Sequence, residues 1–125
     1  MILDTNAFSA LADGSQELEA AAARVDVLSL PVIVLGEYRY GIARSRHRTR
    51  YIAWLAQLVD ISHVVPVDDE TATRYAALRE ELRTLGQPIP SNDLWIAALA
   101  LQHDLPVLTR DAHFVAVPRL RRVSW

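Results

Sequence analysis

Short apolar runs alternate with helical segments along the whole of this sequence, and few architectures accommodate that order. Met1-Ile2-Leu3 reads as a buried strand ending at Asp4. Asn6 to Asp13 reads as a short helix stopped by Asp13-Gly14, and Gln16 to Arg24 as an Ala- and Glu-rich helix. Val25 to Leu30 is predicted as a strand, closed by Pro31, which suits the first turn of a helix over Val32 to Ala43. A helix over Arg46 to Val59 follows, with Ile52, Leu55 and Val59 at helical spacing, then a strand over Ser62 to Val67. Asp68-Asp69-Glu70 places acids at the start of a long helix over Thr71 to Leu85, where the helix dipole favours them. Gly86-Gln87-Pro88-Ile89-Pro90 breaks the pattern. A strongly apolar helix over Asp93 to His103, a strand over Val107 to Thr109, a helical turn over Asp111 to Val115 and a strand over Leu120 to Val123 complete the chain. Such alternation predicts a three-layer α/β/α sandwich around a mostly parallel sheet. No repeat, low-complexity tract or long linker interrupts it, so residues 1–125 are expected to form one domain.

In an open parallel sheet, strand C-termini and the N-termini of the following helices share one edge, and ligands bind outside that edge. Asp4 and Asp111 each follow an apolar strand, and Asp93 opens a helix. Those three carboxylates are therefore expected to converge. Glu37 is the only acid of the helix over Val32 to Ala43 and lies several residues into it, roughly 6–9 Å below the edge at about 1.5 Å per residue. Glutamate is seldom buried unless it is paired or coordinated. An arginine such as Arg39 or Arg110 is one candidate partner, and a shared cation with the other acids is another. Four like charges in one cleft repel, which calls for a multivalent cation.

Each acid also has a local reading. Asp4 suits the N-cap of the helix that follows it, Asp111 the cap of a turn, and Asp93 the first turn of a helix capped by Ser91 or Asn92. Thr5, Asn6, Asn92, Thr109 and Arg110 flank the acids and are candidates to hold metal-bound water or substrate oxygens, though caps and turns employ the same residue types. His113 lies two residues beyond Asp111 and could touch substrate, with packing or a surface position as the ordinary assignment.

Composition narrows the chemistry. Half of the 125 residues are hydrophobic, as in a folded globule, and no apolar stretch approaches the ~18 residues of a membrane span. Cysteine is absent, so neither disulfides nor thiolate metal sites can form. Met1 runs directly into a strand and no leader is expected, which together suggest a cytoplasmic protein. An all-oxygen donor set favours Mg²⁺, with Mn²⁺ as a substitute, over zinc. All 13 basic residues are arginine, and Arg39, Arg44, Arg46, Arg48 and Arg50 follow Glu37 with no acid among them before Asp60. A guanidinium fork matches phosphate oxygens, so an acidic cleft beside a basic ridge suits metal-assisted chemistry on a polyanion; a solvated helix face is the alternative. Tyr38 or Tyr40 could stack on a splayed base, or pack in the core. No phosphate-binding glycine loop and no Ser-His-Asp arrangement is present.

Ile2-Leu3-Asp4-Thr5-Asn6, Glu37, Asn92-Asp93-Leu94-Trp95-Ile96-Ala97-Ala98 and Leu108-Thr109-Arg110-Asp111-Ala112-His113-Phe114, in that order, resemble the PIN-domain ribonucleases, specifically VapC-type toxins of toxin–antitoxin pairs. The resemblance implies that Asp4, Glu37, Asp93 and Asp111 bind Mg²⁺ or Mn²⁺ and that the protein hydrolyses RNA phosphodiester bonds. It further implies a homodimer and a small cognate antitoxin protein as partner. A non-catalytic RNA- or protein-binding module on the same fold is the alternative, and its expected mark, loss of an acid, is absent. A receiver-like or phosphatase site would require a lysine late in the chain, and the sequence has none.

Overall fold

A computed structural model describes residues 1–125. Five parallel strands form the central sheet: β1 (Ile2–Leu3), β2 (Ser29–Pro31), β3 (His63–Val65), β4 (Val107–Leu108) and β5 (Arg122–Val123). Six helices flank it: α1 (Thr5–Ala12), α2 (Gln16–Ala22), α3 (Val32–Ala43), α4 (Arg48–Asp60), α5 (Asp69–Thr84) and α6 (Ser91–Gln102). A 3₁₀ turn, Ala112–Ala116, follows β4. The expected α/β class and the parallel sheet are both present.

Strand order across the sheet is β3-β2-β1-β4-β5. The chain first builds outward from β1 through β2 to β3, then returns to β1's other side with β4 and β5. The order therefore reverses between β1 and β4, and an open sheet has its binding crevice at such a reversal. Ile2 pairs with Val107 and Leu3 with Leu108. The residues just beyond this pairing, Asp4 and Thr109, thus emerge side by side.

The core rests on the same strands. Ile2, Leu3, Leu30, Val107 and Leu108 are fully buried, as are Phe8 on α1 and Ile96, Ala97, Ala98 and Leu99 on α6. An unbroken run of buried residues explains why α6 carries little polar surface: it is enclosed on more than one side. Phe8 packs against Tyr38 and Trp54 at centroid distances of 4.7 and 5.6 Å, so both rings are structural. The sequence before α5 makes a reciprocal cap. Asp68 accepts the Thr71 N–H, and the Thr71 hydroxyl in turn serves the Asp68 N–H.

Several boundaries differ from expectation. Val25–Val27 is bend and Leu28 irregular rather than strand, and the strand in that region is Ser29–Pro31. The neighbouring β1 is two residues long and gives Val25–Val27 no strand to pair with; Leu28 joins β3 only through its carbonyl, which accepts the His63 N–H at 2.8 Å, and Val27 is half exposed. Pro31 ends β2 and caps α3 instead of opening its first turn. Asp93 lies in the third position of α6, with Pro90 at the cap rather than Ser91 or Asn92. No helix is long and apolar enough to cross a membrane.

Truncating a fully buried strand residue at the reversal point should be costly. Leu108→Ala is expected to lower unfolding free energy by about 2–5 kcal/mol in urea denaturation; a loss below about 1 kcal/mol would contradict the burial described.

Candidate active site

Asp4, Glu37, Asp93 and Asp111 line a single cleft of about 360 Å³ with Thr5, Asn6, Pro90, Ser91 and Asn92, and Pro90 is the one apolar side chain among them. Four separate elements deliver the acids. Asp4 leaves β1, Asp111 follows β4, Asp93 sits in the first turn of α6, and Glu37 is the sixth residue of α3.

Asp4 is the deepest, at 2% exposure. Its Oδ1 accepts the Ala7 N–H at 2.7 Å, which caps α1, while its Oδ2 accepts from the Thr109 hydroxyl. That hydroxyl also accepts the Asp111 N–H at 2.9 Å. One threonine therefore fixes two site residues at once. Asp111 caps the 3₁₀ turn by accepting the His113 N–H at 2.9 Å. For both aspartates the capping role and the cleft position coexist, because a carboxylate has lone pairs to spare beyond one backbone bond.

Glu37 has no arginine partner. Its Oε2 accepts from the Thr5 hydroxyl at 2.5 Å and its Oε1 from the Asn92 amide, which tie α3 to the starts of α1 and α6. Arg39 is exposed, and Arg110 is turned away from the cleft. The Arg110 guanidinium bonds Glu17 at 2.7 Å and the Trp125 carbonyl, and stacks over the Trp125 ring. Of the flanking candidates, Thr5, Asn6 and Asn92 line the cleft and Thr109 lies beneath it; Arg110 does neither.

His113 is the residue that sequence reasoning undervalued. Its Nδ1 lies 2.9 Å from Asp93 Oδ2 and 3.1 Å from Asp111 Oδ1. The available signal was the cap itself, since a turn capped by Asp111 brings the residue two positions later back over it. Asp93, Asp111 and His113 offer ligand atoms all within 4.8 Å of one another.

Burial raises the pKa of Asp4 above its ordinary value, and the Asp111 and Asp93 charges add to it; hydrogen bonds from Thr109 and the Ala7 N–H act the other way. Burial likewise raises Asp93, reinforced by Asp111 and Glu37 and opposed by its bond to His113. No arginine lines the cleft to offset this charge. Oxygen donors that repel one another and lack a resident cation suit a hard divalent ion such as Mg²⁺ or Mn²⁺.

Residues 1–120 match the family model of the PIN domain. Ribonuclease VapC5 of Mycobacterium tuberculosis is 38% identical over 119 residues, spanning 93% of this chain and 86% of that protein. The crystal structure of VapBC-5, a member of the VapBC family of toxin–antitoxin systems from the same organism, matches with a TM-score of 0.75 at 33% identity. That match covers 98% of this chain and 94% of the other. VapBC2 from Rickettsia felis, solved bound to a DNA fragment from its promoter, matches with a TM-score of 0.91 at 22% identity, over 99% of this chain and 97% of that one.

Two outcomes follow. A carboxylate whose pKa is raised by folding holds its proton more tightly in the native state, so its contribution is present at low pH and lost as pH rises through the native value. In EDTA, the Tm advantage of Asp93→Asn over wild type should therefore widen from about pH 4 to about pH 7; a difference that stays flat would contradict the charge crowding. Thr109→Val should cost about 1–3 kcal/mol in denaturant unfolding, because it strands a buried Asp4 oxygen and the Asp111 N–H. Unchanged stability would mean that the hydroxyl is dispensable.

Proposed function

The chain belongs to the PIN-domain family, and from that membership we propose that it is a divalent-metal-dependent endoribonuclease, the toxin of a toxin–antitoxin pair. The observation that carries the reading is one cleft lined by four carboxylates from four elements, with no arginine to neutralise them. The ribonuclease named VapC5, 38% identical over nearly the whole chain, supports RNA as the substrate class. The VapBC toxin–antitoxin structures support a small antitoxin as partner. A homodimer, a cytoplasmic location and one domain over residues 1–125 belong to the same reading.

Asp4, Asp93 and Asp111 would hold Mg²⁺ or Mn²⁺, with Glu37 contributing directly or through water. The bound ion supplies charge neutralisation at phosphorus and a water of lowered pKa. The protein's own residues set the stage for it. Thr109 holds Asp4 and the Asp111 backbone in register, and Thr5 and Asn92 hold the Glu37 carboxylate toward the other acids. His113, bridging Asp93 and Asp111, sits where it can exchange a proton with a group bound over those two oxygens.

Phosphate binding falls to the ridge around the α3–α4 turn. Arg39, Arg44, Arg46, Arg48 and Arg50 are exposed, and none has a carboxylate within salt-bridge range. Of the eight arginines elsewhere, five do. A run of guanidinium groups left without partners is consistent with an anionic strand crossing it.

Wild type is expected to cleave single-stranded RNA with Mg²⁺ or Mn²⁺, and Asp4→Asn and Glu37→Gln to lose more than about 100-fold in rate while staying folded. Mn²⁺ should also raise the wild-type Tm, by an amount corresponding to about 2.7 kcal/mol at a hundredfold excess over Kd, and raise it much less in Asp93→Asn. Wild-type rates in both folded variants would overturn the assignment of the site, and saturable RNA binding without cleavage would instead favour a non-catalytic module.

A further inference from the structure

Next to the acidic cleft lies a second cavity, of about 250 Å³, between α1 and the α3–α4 region. Thr5 and Glu37 line both, so the two are continuous. Resting on the ribonuclease reading of the cleft, we propose that this cavity is a base-binding subsite for a nucleotide flanking the scissile phosphate, and that Asp13 makes it selective for guanine.

The cavity's walls have the chemistry of a base pocket rather than of a core defect. Most of its exposed lining surface is apolar, as the face of a base requires, with hydroxyls from Ser9, Ser45 and Tyr51 and the carboxylate of Asp13 set into it. Asp13 is exposed and has no cationic partner. Its only side-chain bond is the one that Oδ1 accepts from the Tyr51 hydroxyl at 3.3 Å, which leaves Oδ2 free. A fixed carboxylate offers acceptors and no donor. Among the four bases, only guanine presents two adjacent donors on its Watson–Crick edge, N1–H and the N2 amino group. Adenine and cytosine place a ring acceptor beside their single amino group, and uracil flanks its one N–H with carbonyls, so each sets a lone pair against the carboxylate. Recognition of a splayed base by its Watson–Crick edge is the usual way in which single-stranded RNA is read.

The surroundings fit a nucleotide's remaining parts. The Arg50 guanidinium lies over the Tyr51 ring, 5.0 Å from its centroid, with no carboxylate partner, where it can meet the phosphate of the bound nucleotide. Tyr38 is unavailable for stacking, being packed against Phe8, Trp54 and Tyr51; burial, then the neighbouring Tyr51 and Asp13, push its hydroxyl up to about 12. Gly41 forms part of the wall, and a Cβ built there meets nothing within 4 Å, so the helix admits a side chain at that point. A larger residue at Gly41 would occupy the cavity without disturbing a packed neighbour.

The test uses oligouridine hexamers carrying one guanosine, adenosine or cytidine at each position in turn. Binding is read by fluorescence anisotropy in EDTA, where metal-dependent cleavage cannot occur, and cut sites are then sequenced with Mn²⁺. Wild type should prefer guanosine at one position by about tenfold or more, the range of a bidentate base contact. Asp13→Asn, which turns one acceptor into a donor, and Gly41→Leu, which fills the space, should each abolish that preference. The preferred position should lie next to the cut. Absence of any base preference in wild type, or its survival in either variant, overturns the subsite. A preference that disappears in the variants while Mn²⁺ produces no cleavage would uphold the subsite and sink the ribonuclease reading instead.

Discussion

Hydrogen bonding between β1 and β4 fixes the place of everything in the cleft. The paired segments are only two residues long, Ile2–Leu3 against Val107–Leu108, yet their side chains are fully buried and their register is unambiguous. A slip of one residue in either strand would swing Leu3 or Leu108 to the opposite face and break the core. The core therefore specifies, at no separate cost, that Asp4 and Thr109 leave the sheet as neighbours. Their side-chain bond then carries the register outward to Asp111, whose N–H rests on the same hydroxyl. Hydrophobic packing holds a polar constellation in position even though none of its members is hydrophobic.

That constellation works against the fold that supports it. Asp4 and Asp93 both have pKa values raised by burial and by neighbouring acids, Asp111 among them for each, so at neutral pH the native state carries charge that the unfolded chain would spread out. What tolerates this is local satisfaction. Asp4 and Asp111 each cap a helical turn, Glu37 takes two side-chain bonds, and Asp93 touches His113. Asp4 and Glu37 are thus anchored by neutral donors, and Asp93 and Asp111 share the His113 ring. Neutral donors keep the oxygens in place while leaving the net negative charge for something else to balance. An arginine among the acids would have stabilised the isolated protein and closed the cleft to a cation.

The order of elements and the convergence of the acids were legible because both follow from chain topology. A carboxylate just after a strand and one at the start of a helix must share an edge in a parallel sheet, whatever the details of packing. Helix α3 could be read to its ends, Val32 to Ala43, since Pro31 and the polar run from Arg44 bound an apolar block. What could not be read depended on contacts between distant segments. Glu37's partners, Thr5 and Asn92, lie 32 and 55 residues away. Arg110 sits beside Asp111 in sequence, yet pairs with Glu17 and Trp125 because the strand end turns its side chain to the opposite side. Val25 to Val27 has no strand beside it although the apolar stretch runs on into β2, and composition cannot report the length of a neighbour.

The arrangement of arginines completes the physical picture. Ion pairs elsewhere on the surface, such as Arg83 with Glu80 or Arg119 with Glu81, are solvated and contribute little individually. Their effect is to keep those faces near neutral. Around the α3–α4 turn no such compensation occurs, and five guanidinium groups project from a segment that also borders the cavity containing Asp13. A polyanion approaching this molecule therefore meets a field that is attractive at the turn and repulsive at the bare acids. A cation that reverses the sign of the cleft would ease one strand across both regions. An ion held there would strengthen substrate binding as well as serve the chemistry, because four bare carboxylates in one cleft disfavour phosphate.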